Sequence, residues 1–318
     1  MAGKTPPMRS LEQQEQDRLK RLERENRRRT ASQPSGSERS QDFLDGFHQC
    51  IGIFGDSSVA NGEPGQIFDY GRGLLQLHLA DVGGGVVKLM SHFVWNAALV
   101  MAEYVEVGEV IDVRGQRVIE FGAGAGLPGL FCVKRGAQFV TLTDYPDPII
   151  VQNLERNWYE NLVETAGDKE TRRITSQESI QTTGYKEITS SSNSQRRWEV
   201  EKKSKCAVRG HAWGENVQEL LDCLPTTMSN VTEEGQGYDW ILLADTLWVS
   251  EGHATLLMSC CSVLNKTGKI LVCCGLHTGY NTIKRFLSLA RSDAYGFQVT
   301  LIEIRRTPEW GETRTDKE

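Results

Sequence analysis

From Gln116 onward, bulky apolar residues fall into short continuous runs, and between those runs they recur every three or four positions. Short apolar runs predict strands buried on both faces, and helically spaced segments between them predict crossover helices. Together they predict a parallel sheet wrapped by helices. RVIEF (117–121) is the first predicted strand and GAGAG breaks it. Leu127-Pro128 then opens a helix to about Lys134, with proline where its missing N–H costs nothing. QFVTLTD (138–144) predicts the second strand, followed by a helix from Asp147 to about Tyr159. KCAVRGHAW (205–213) predicts the third strand and YDWILLAD (238–245) a central fourth. A helix over 251–264, a fifth strand KILVCCGL (269–276), a helix over 281–289 and a sixth strand FQVTLIEI (297–304) complete the series.

Two polar blocks fall outside this pattern. Residues 1–41 hold ten Lys or Arg and six Asp or Glu with almost no apolar residues, too few to offset the entropy of ordering. They read as a disordered charged tail without the apolar run of a signal peptide. Residues 164–205, with TSQESIQTTGYKEITSSSNSQ at their heart, read as a surface insertion. The expected organisation is therefore one domain over 42–306 carrying that insertion, with a polar tail over 307–318.

Charge and cysteine usage narrow the class. The net charge of −6 divides into a tail with four excess positive charges and a remainder at −10. Such an acidic body argues against direct nucleic-acid binding and would tolerate a basic protein substrate. The eight cysteines include no Cys-x-x-Cys pair, and no histidines stand at zinc-finger spacing, so neither a disulfide framework nor a metal site is expected. Cys260, Cys261, Cys273 and Cys274 lie in apolar runs and read as small buried hydrophobes in a reducing compartment, cytoplasmic or nuclear. No apolar run approaches the roughly 20 residues that span a bilayer.

The chemistry centres on VIEFGAGAGLPGL (118–130), whose glycines fit two signatures. Gly124, Gly126 and Gly129 spell the G-x-G-x-x-G of a dinucleotide fold. Glu120, Gly122, Gly124 and Gly126 spell the E-x-G-x-G-x-G of S-adenosylmethionine enzymes. Alternate glycines allow close backbone approach to either ligand. A dinucleotide also needs a helix N-terminus aimed at its pyrophosphate, whereas a sulfonium cation is served by nearby carboxylates. Asp144, at the end of the second predicted strand, can accept hydrogen bonds from ribose hydroxyls of either cofactor, and Asp147 is the better cap for the following helix. The loop by itself leaves both ligands open.

Three further stretches, SHFVWNAALVMAEYV (91–105), TDYPDPIIVQNLERN (143–157) and GHAWG (210–214), join VIEFGAGAGLPG and YDWILLADTLW in an ordered set. That set resembles the seven-β-strand (class I) protein methyltransferases, and among them the fungal elongation factor methyltransferases formerly called nicotinamide N-methyltransferases. The likeness covers about 91–304 without the insertion. It implies a Rossmann-like α/β fold with helices on both faces of the sheet and S-adenosyl-L-methionine as cofactor. It also implies cofactor contacts from Trp95, Glu120, Gly122, Ala123, Gly124, Asp144, Trp213 and Ala244, with Asp245 and Trp248 facing the transferred methyl group. The expected reaction is N-methylation of a lysine and/or N-terminal amine of a protein, elongation factor 1-alpha, by a monomeric enzyme. A methyltransferase sheet needs a seventh strand, yet only RRTPEWGETRTDKE follows the sixth. The favoured expectation is a chain that stops before its final strand, the alternative being a strand from that polar tail.

Methyl transfer is a single in-line displacement, so the protein must orient two reactants and present a neutral amine. Asp245 is the candidate to hydrogen-bond that amine. His92, His211, His253 and His277 lie in no Ser/His/Asp or Cys/His pattern and are expected at the surface or in turns, with His92 marked by its closeness to Trp95. Trp158, Trp198, Trp240 and Trp310 are expected to be core packing. The competing functions are nicotinamide methylation, NAD(P)-dependent oxidoreduction through the G-x-G-x-x-G register, and a methyltransferase-like protein without activity.

Overall fold

The computed structural model describes residues 49–55, 60–81, 91–164, 194–225, 237–275 and 279–305. The expected charged tail, most of the insertion and residues 306–318, including Trp310, lie outside these residues. In chain order the elements begin with β1 (Gln49–Gly55), β2 (Ala60–Asn61), a hairpin of β3 (Ile67–Tyr70) and β4 (Leu75–His78), and β5 (Val94–Trp95). They continue with α1 (Asn96–Val107), β6 (Arg117–Phe121), α2 (Leu127–Lys134), β7 (Phe139–Asp144) and α3 (Pro148–Trp158), which runs into a π-helical turn at Tyr159–Glu164. Next come α4 (Ser194–Ser204), β8 (Cys206–Gly210), α5 (Gln218–Leu221), β9 (Tyr238–Ala244), a 3-10 turn at Ser250–Gly252 and α6 (His253–Val263). The last described elements are β10 (Leu264–Gly275), α7 (Tyr280–Ala290) and β11 (Gln298–Arg305).

Among the described residues, seven strands form one sheet in the order β11-β1-β10-β9-β6-β7-β8, and every pairing is parallel. The six strands expected from the sequence all appear. The seventh comes from neither expected source. It is β1, seated between β10 and β11 from Gln49 opposite Lys269 to Gly55 opposite Gly275. Gly52 and Gly55 interrupt QCIGIFG, and interior glycines weaken a strand signal. Pairing on both sides offsets that weakness.

Alternation along the strands loads both faces. Val118, Leu142, Leu242 and Leu271 join one core with Met101 and Val105 of α1, Leu130 and Phe131 of α2, and Leu154 and Trp158 of α3. Ile119, Ile241, Leu243, Ile270 and Val272 join the other with Leu256, Leu257 and Cys260 of α6 and Ile283 and Phe286 of α7. Trp158 and Trp240 are buried, as expected of core residues, whereas Trp198 is half-buried on α4. Cys132, Cys206, Cys223, Cys260, Cys273 and Cys274 are buried thiols, and Cys261 is half-buried.

Two features outside the predicted elements bear on the site. The β3–β4 hairpin closes the α2 side: Tyr70 meets Phe131 edge-on at 5.5 Å, and the Asn157 and Asn161 side chains bond the β4 backbone at His78 and Gln76. Asn157 also donates to the Ala125 carbonyl at 3.0 Å, tying this layer to the glycine loop. Within the insertion, Arg197 of α4 bridges Glu155 and Glu201, while Arg209 of β8 pairs with Glu201, which is 1% exposed. No described helix is long and apolar enough to cross a membrane.

Strand order reverses at β6. From β6 the chain steps through β7 to β8 on one side, then returns to β9 and builds outward on the other. Open α/β sheets leave a crevice at such a reversal, outside the carboxyl ends of the strands.

Candidate active site

A cavity of about 360 Å³ lies at that crevice, lined by residues following β6, β7, β8 and β9 and by the start of α1. All ten predicted site residues border it: Trp95, Glu120, Gly122, Ala123, Gly124, Asp144, Trp213, Ala244, Asp245 and Trp248.

The floor is the turn after β6. Gly122, Gly124 and Gly126 have φ of 69°, 55° and 85°, so the turn is left-handed at every second residue and only glycine takes it without strain. A Cβ on Gly122 would sit 2.8 Å from Thr246 Cγ2, pressed against the opposite wall. Gly126 caps α2, and Pro128 stands in its first turn.

Glu120 resolves the two glycine registers. Its Oε2 accepts the Gly129 N–H at 2.9 Å, inside the first turn of α2. A Cβ on Gly129 would strike Leu142 Cδ2 at 2.2 Å and Glu120 Oε2 at 2.8 Å. In the dinucleotide register a pyrophosphate would need that helix end, where Pro128 has no N–H and the Gly129 N–H already faces a buried carboxyl. Gly129 is thus a packing glycine. Glu120 is 1% exposed, and burial pushes its pKa up to about 8. Its Oε1 has no hydrogen-bond partner.

Asp144 holds the end of β7. Its Oδ2 accepts from Gly124 N–H and its Oδ1 from Tyr145 N–H, each at 2.7 Å, while burial raises its pKa to about 6. Each oxygen keeps accepting capacity beyond that single bond. Asp147, not Asp144, caps α3 by accepting from Ile149 N–H at 2.8 Å.

Trp213 forms a wall between the glycine turn and the 3-10 turn. A Cβ on Gly252 would come within 3.1 Å of its indole, and one on Gly122 within 3.8 Å. Its loop is pinned by Ser259 of α6, which bonds both His211 Nε2 at 2.9 Å and Gly214 N–H at 2.8 Å.

Beyond Ala244, Asp245 adopts φ 56°, a left-handed conformation that aspartate tolerates better than most residues and that clusters at functional sites. Its N–H donates to the Cys273 carbonyl at 2.8 Å, and its Oδ1 accepts from Gly275 N–H at 3.2 Å. Trp95 is the N-cap residue of α1 and meets Phe93 edge-on at 6.0 Å.

Histidine placement corrects the expectation of surface positions, while His92 lies in a turn as expected. His92, His211 and His253 are all buried, and burial lowers the pKa of each. Only His211 lines the cavity; His277 lies outside the described residues. Sequence reasoning passed over Ser91 and Thr246, whose hydroxyls are buried at the cavity without a partner. Each adjoins a residue it did single out, His92 and Asp245.

Residues 81–189 match a family model described as lysine methyltransferase. The protein N-terminal and lysine N-methyltransferase EFM7 of Yarrowia lipolytica is 29% identical over 239 residues, spanning 72% of this chain and 74% of the relative. Its Schizosaccharomyces pombe namesake is 28% identical over 232 residues, spanning 72% and 73%. The Cryptococcus neoformans protein of the same name is 30% identical over 174 residues, 54% of this chain and 43% of that relative. Set beside a parallel sheet whose reversal point carries the cavity, these relationships identify an enzyme, a methyltransferase similar to the EFM7 proteins.

Proposed function

We propose that the chain transfers methyl groups from S-adenosyl-L-methionine to a lysine side chain and/or the N-terminal amine of a protein, with elongation factor 1-alpha as substrate. One observation carries this reading. The cavity presents the carboxyls of Glu120, Asp144 and Asp245 and the rings of Phe93, Trp95, Trp213 and Trp248, with neither Lys nor Arg lining it among the described residues. Such a lining suits two cationic groups, a donor sulfonium and an acceptor ammonium, through carboxylate charge and ring quadrupole.

The residues fit that donor. Glu120 Oε1 is a buried acceptor without a partner, and the Gly122 turn leaves room that a Cβ would fill. Asp144 would accept from the ribose hydroxyls, Trp213 would lie against the adenine, and Trp95 would flank the sulfonium. When bound, S-adenosylmethionine supplies an electrophilic methyl group. Asp245 would accept a hydrogen bond from the incoming amine beside Trp248. A lysine of ordinary pKa near 10.4 must lose a proton before it can react, and aromatic walls that strip its water favour the neutral form.

The class of acceptor, though not the particular protein, is supported by the names of the EFM7 relatives, which describe action on protein N-termini and lysines. The test is peptide mass spectrometry of elongation factor 1-alpha, purified from cells lacking this enzyme and incubated with the protein and S-adenosylmethionine. Methyl groups on a lysine or the N-terminal amine are expected, with Asp245→Asn slowing turnover about 100-fold while keeping affinity for S-adenosylhomocysteine. Unmodified amines would remove this acceptor, and undiminished turnover in Asp245→Asn would remove the role of Asp245.

A further inference from the structure

Trp95 lines the cavity at the corner where the chain passes from β5 into α1. β5 is only two residues long, and Trp95, the N-cap residue of α1, makes no side-chain cap bond. A Ser, Thr, Asp or Asn at that place would lock the helix entry through its own side chain, and a tryptophan cannot.

The corner is held from another segment. β2 pairs antiparallel with β5, Ala60 opposite Trp95 and Asn61 opposite Val94. Across this pair the Asn61 side-chain amide donates to the Val94 carbonyl at 2.9 Å and to Asn96 Oδ1 at 3.0 Å. Its two acceptors belong to the residues on either side of Trp95. Asn61, Val94 and Asn96 are all buried, so removing the amide would deprive two sheltered oxygens of a donor, a cost that the corner can relieve only by moving.

Asn61 is itself anchored. Gly62 turns the chain at φ 81°, where a Cβ would strike Leu79. Gly65 N–H then donates to the Leu79 carbonyl at 3.0 Å, and Leu79 N–H to the Gln66 carbonyl at 2.9 Å. Leu79 follows β4, whose backbone Asn157 and Asn161 fasten to α3 and its π-helical turn. The hold on Trp95 therefore bears on the same layer that Asn157 ties to the glycine loop.

We propose that Asn61 is a positioning residue for methyl transfer: through Val94 and Asn96 it sets the angle at which Trp95 presents its ring to the cavity. The inference rests on the reading of the cavity as an S-adenosylmethionine site with Trp95 beside the sulfonium. A ring quadrupole attracts a cation over its face, so a turned indole loses that attraction while still filling space. The charged donor then loses more than its uncharged thioether product.

The test is a double-mutant cycle read by calorimetric titration of the full chain with S-adenosylmethionine and S-adenosylhomocysteine. Asn61→Ala should weaken S-adenosylmethionine about fivefold more than S-adenosylhomocysteine, the size of a lost cation–π contact. Trp95→Leu should remove the same preference, and Asn61→Ala added to Trp95→Leu should change it by less than about twofold. A general loosening of the fold would weaken both ligands together. Asn61→Ser, which keeps one hydroxyl donor, serves where Asn61→Ala lowers the melting temperature, and an intermediate loss of preference is expected from it. Equal losses for both ligands, an unchanged preference in Asn61→Ala, or a loss that persists in full in the Trp95→Leu background would each overturn the positioning role while leaving the donor assignment standing. A wild-type protein that binds neither ligand would instead overturn the donor assignment and this role with it.

Discussion

Burial leaves the Glu120 carboxyl one hydrogen bond, from Gly129, and raises its pKa to about 8; Asp144, with two backbone N–H donors, rises to about 6. Both shifts have the same sign. The folded protein keeps protons that the unfolded chain has already lost, so stability falls as pH rises from the ordinary carboxylate range through these values and levels off above about 8. Thermal melts of the ligand-free protein should show that decline, and Glu120→Gln should flatten its upper part. An unchanged slope in the variant would show that Glu120 is not the group responsible. Asp144 was legible in the sequence because a carboxylate ending the strand after a glycine turn has few other duties there. Ser91 and Thr246 were not, since a single hydroxyl in an apolar stretch carries no signal until its missing partner is seen.

At the scale of elements, the contact of α2 with the sheet decides how the glycines are counted. Gly129 lies under Leu142 and Glu120 with no space for a methyl group. Gly129→Ala should therefore destabilise the protein by about 1–3 kcal/mol through overpacking, and should displace the carboxyl that its amide orients. A chemical-denaturation midpoint equal to wild type would contradict that packing. The strands β6 to β11 were readable because strands buried on both faces are written as continuous bulky runs. β1 was not, because its glycines break the run and its partners β10 and β11 lie more than 200 residues away in sequence. Helix α4 was hidden by polarity: Arg197 and Glu201 hold it to Glu155 and Arg209 through ion pairs, which leave no apolar period.

For the whole molecule, a sheet reversal places the ends of four strands around one hollow, and three carboxyls and several aromatic rings are among the groups that line it. Sequence motifs scattered from 95 to 248 become one site only through this topology, which is why their joint order carried more information than any one of them. The central claim is that this hollow is where a protein receives its methyl group. Its most direct measurement is transfer of label from S-adenosylmethionine into a lysate of cells lacking the enzyme, comparing wild type with a folded Gly122→Ala protein. The added Cβ would stand 2.8 Å from Thr246 Cγ2 on a backbone at φ 69°, narrowing the cavity at its floor. The account predicts labelled protein with wild type and strongly reduced labelling with the variant. Label confined to small molecules, or equal protein labelling by both enzymes, would contradict it.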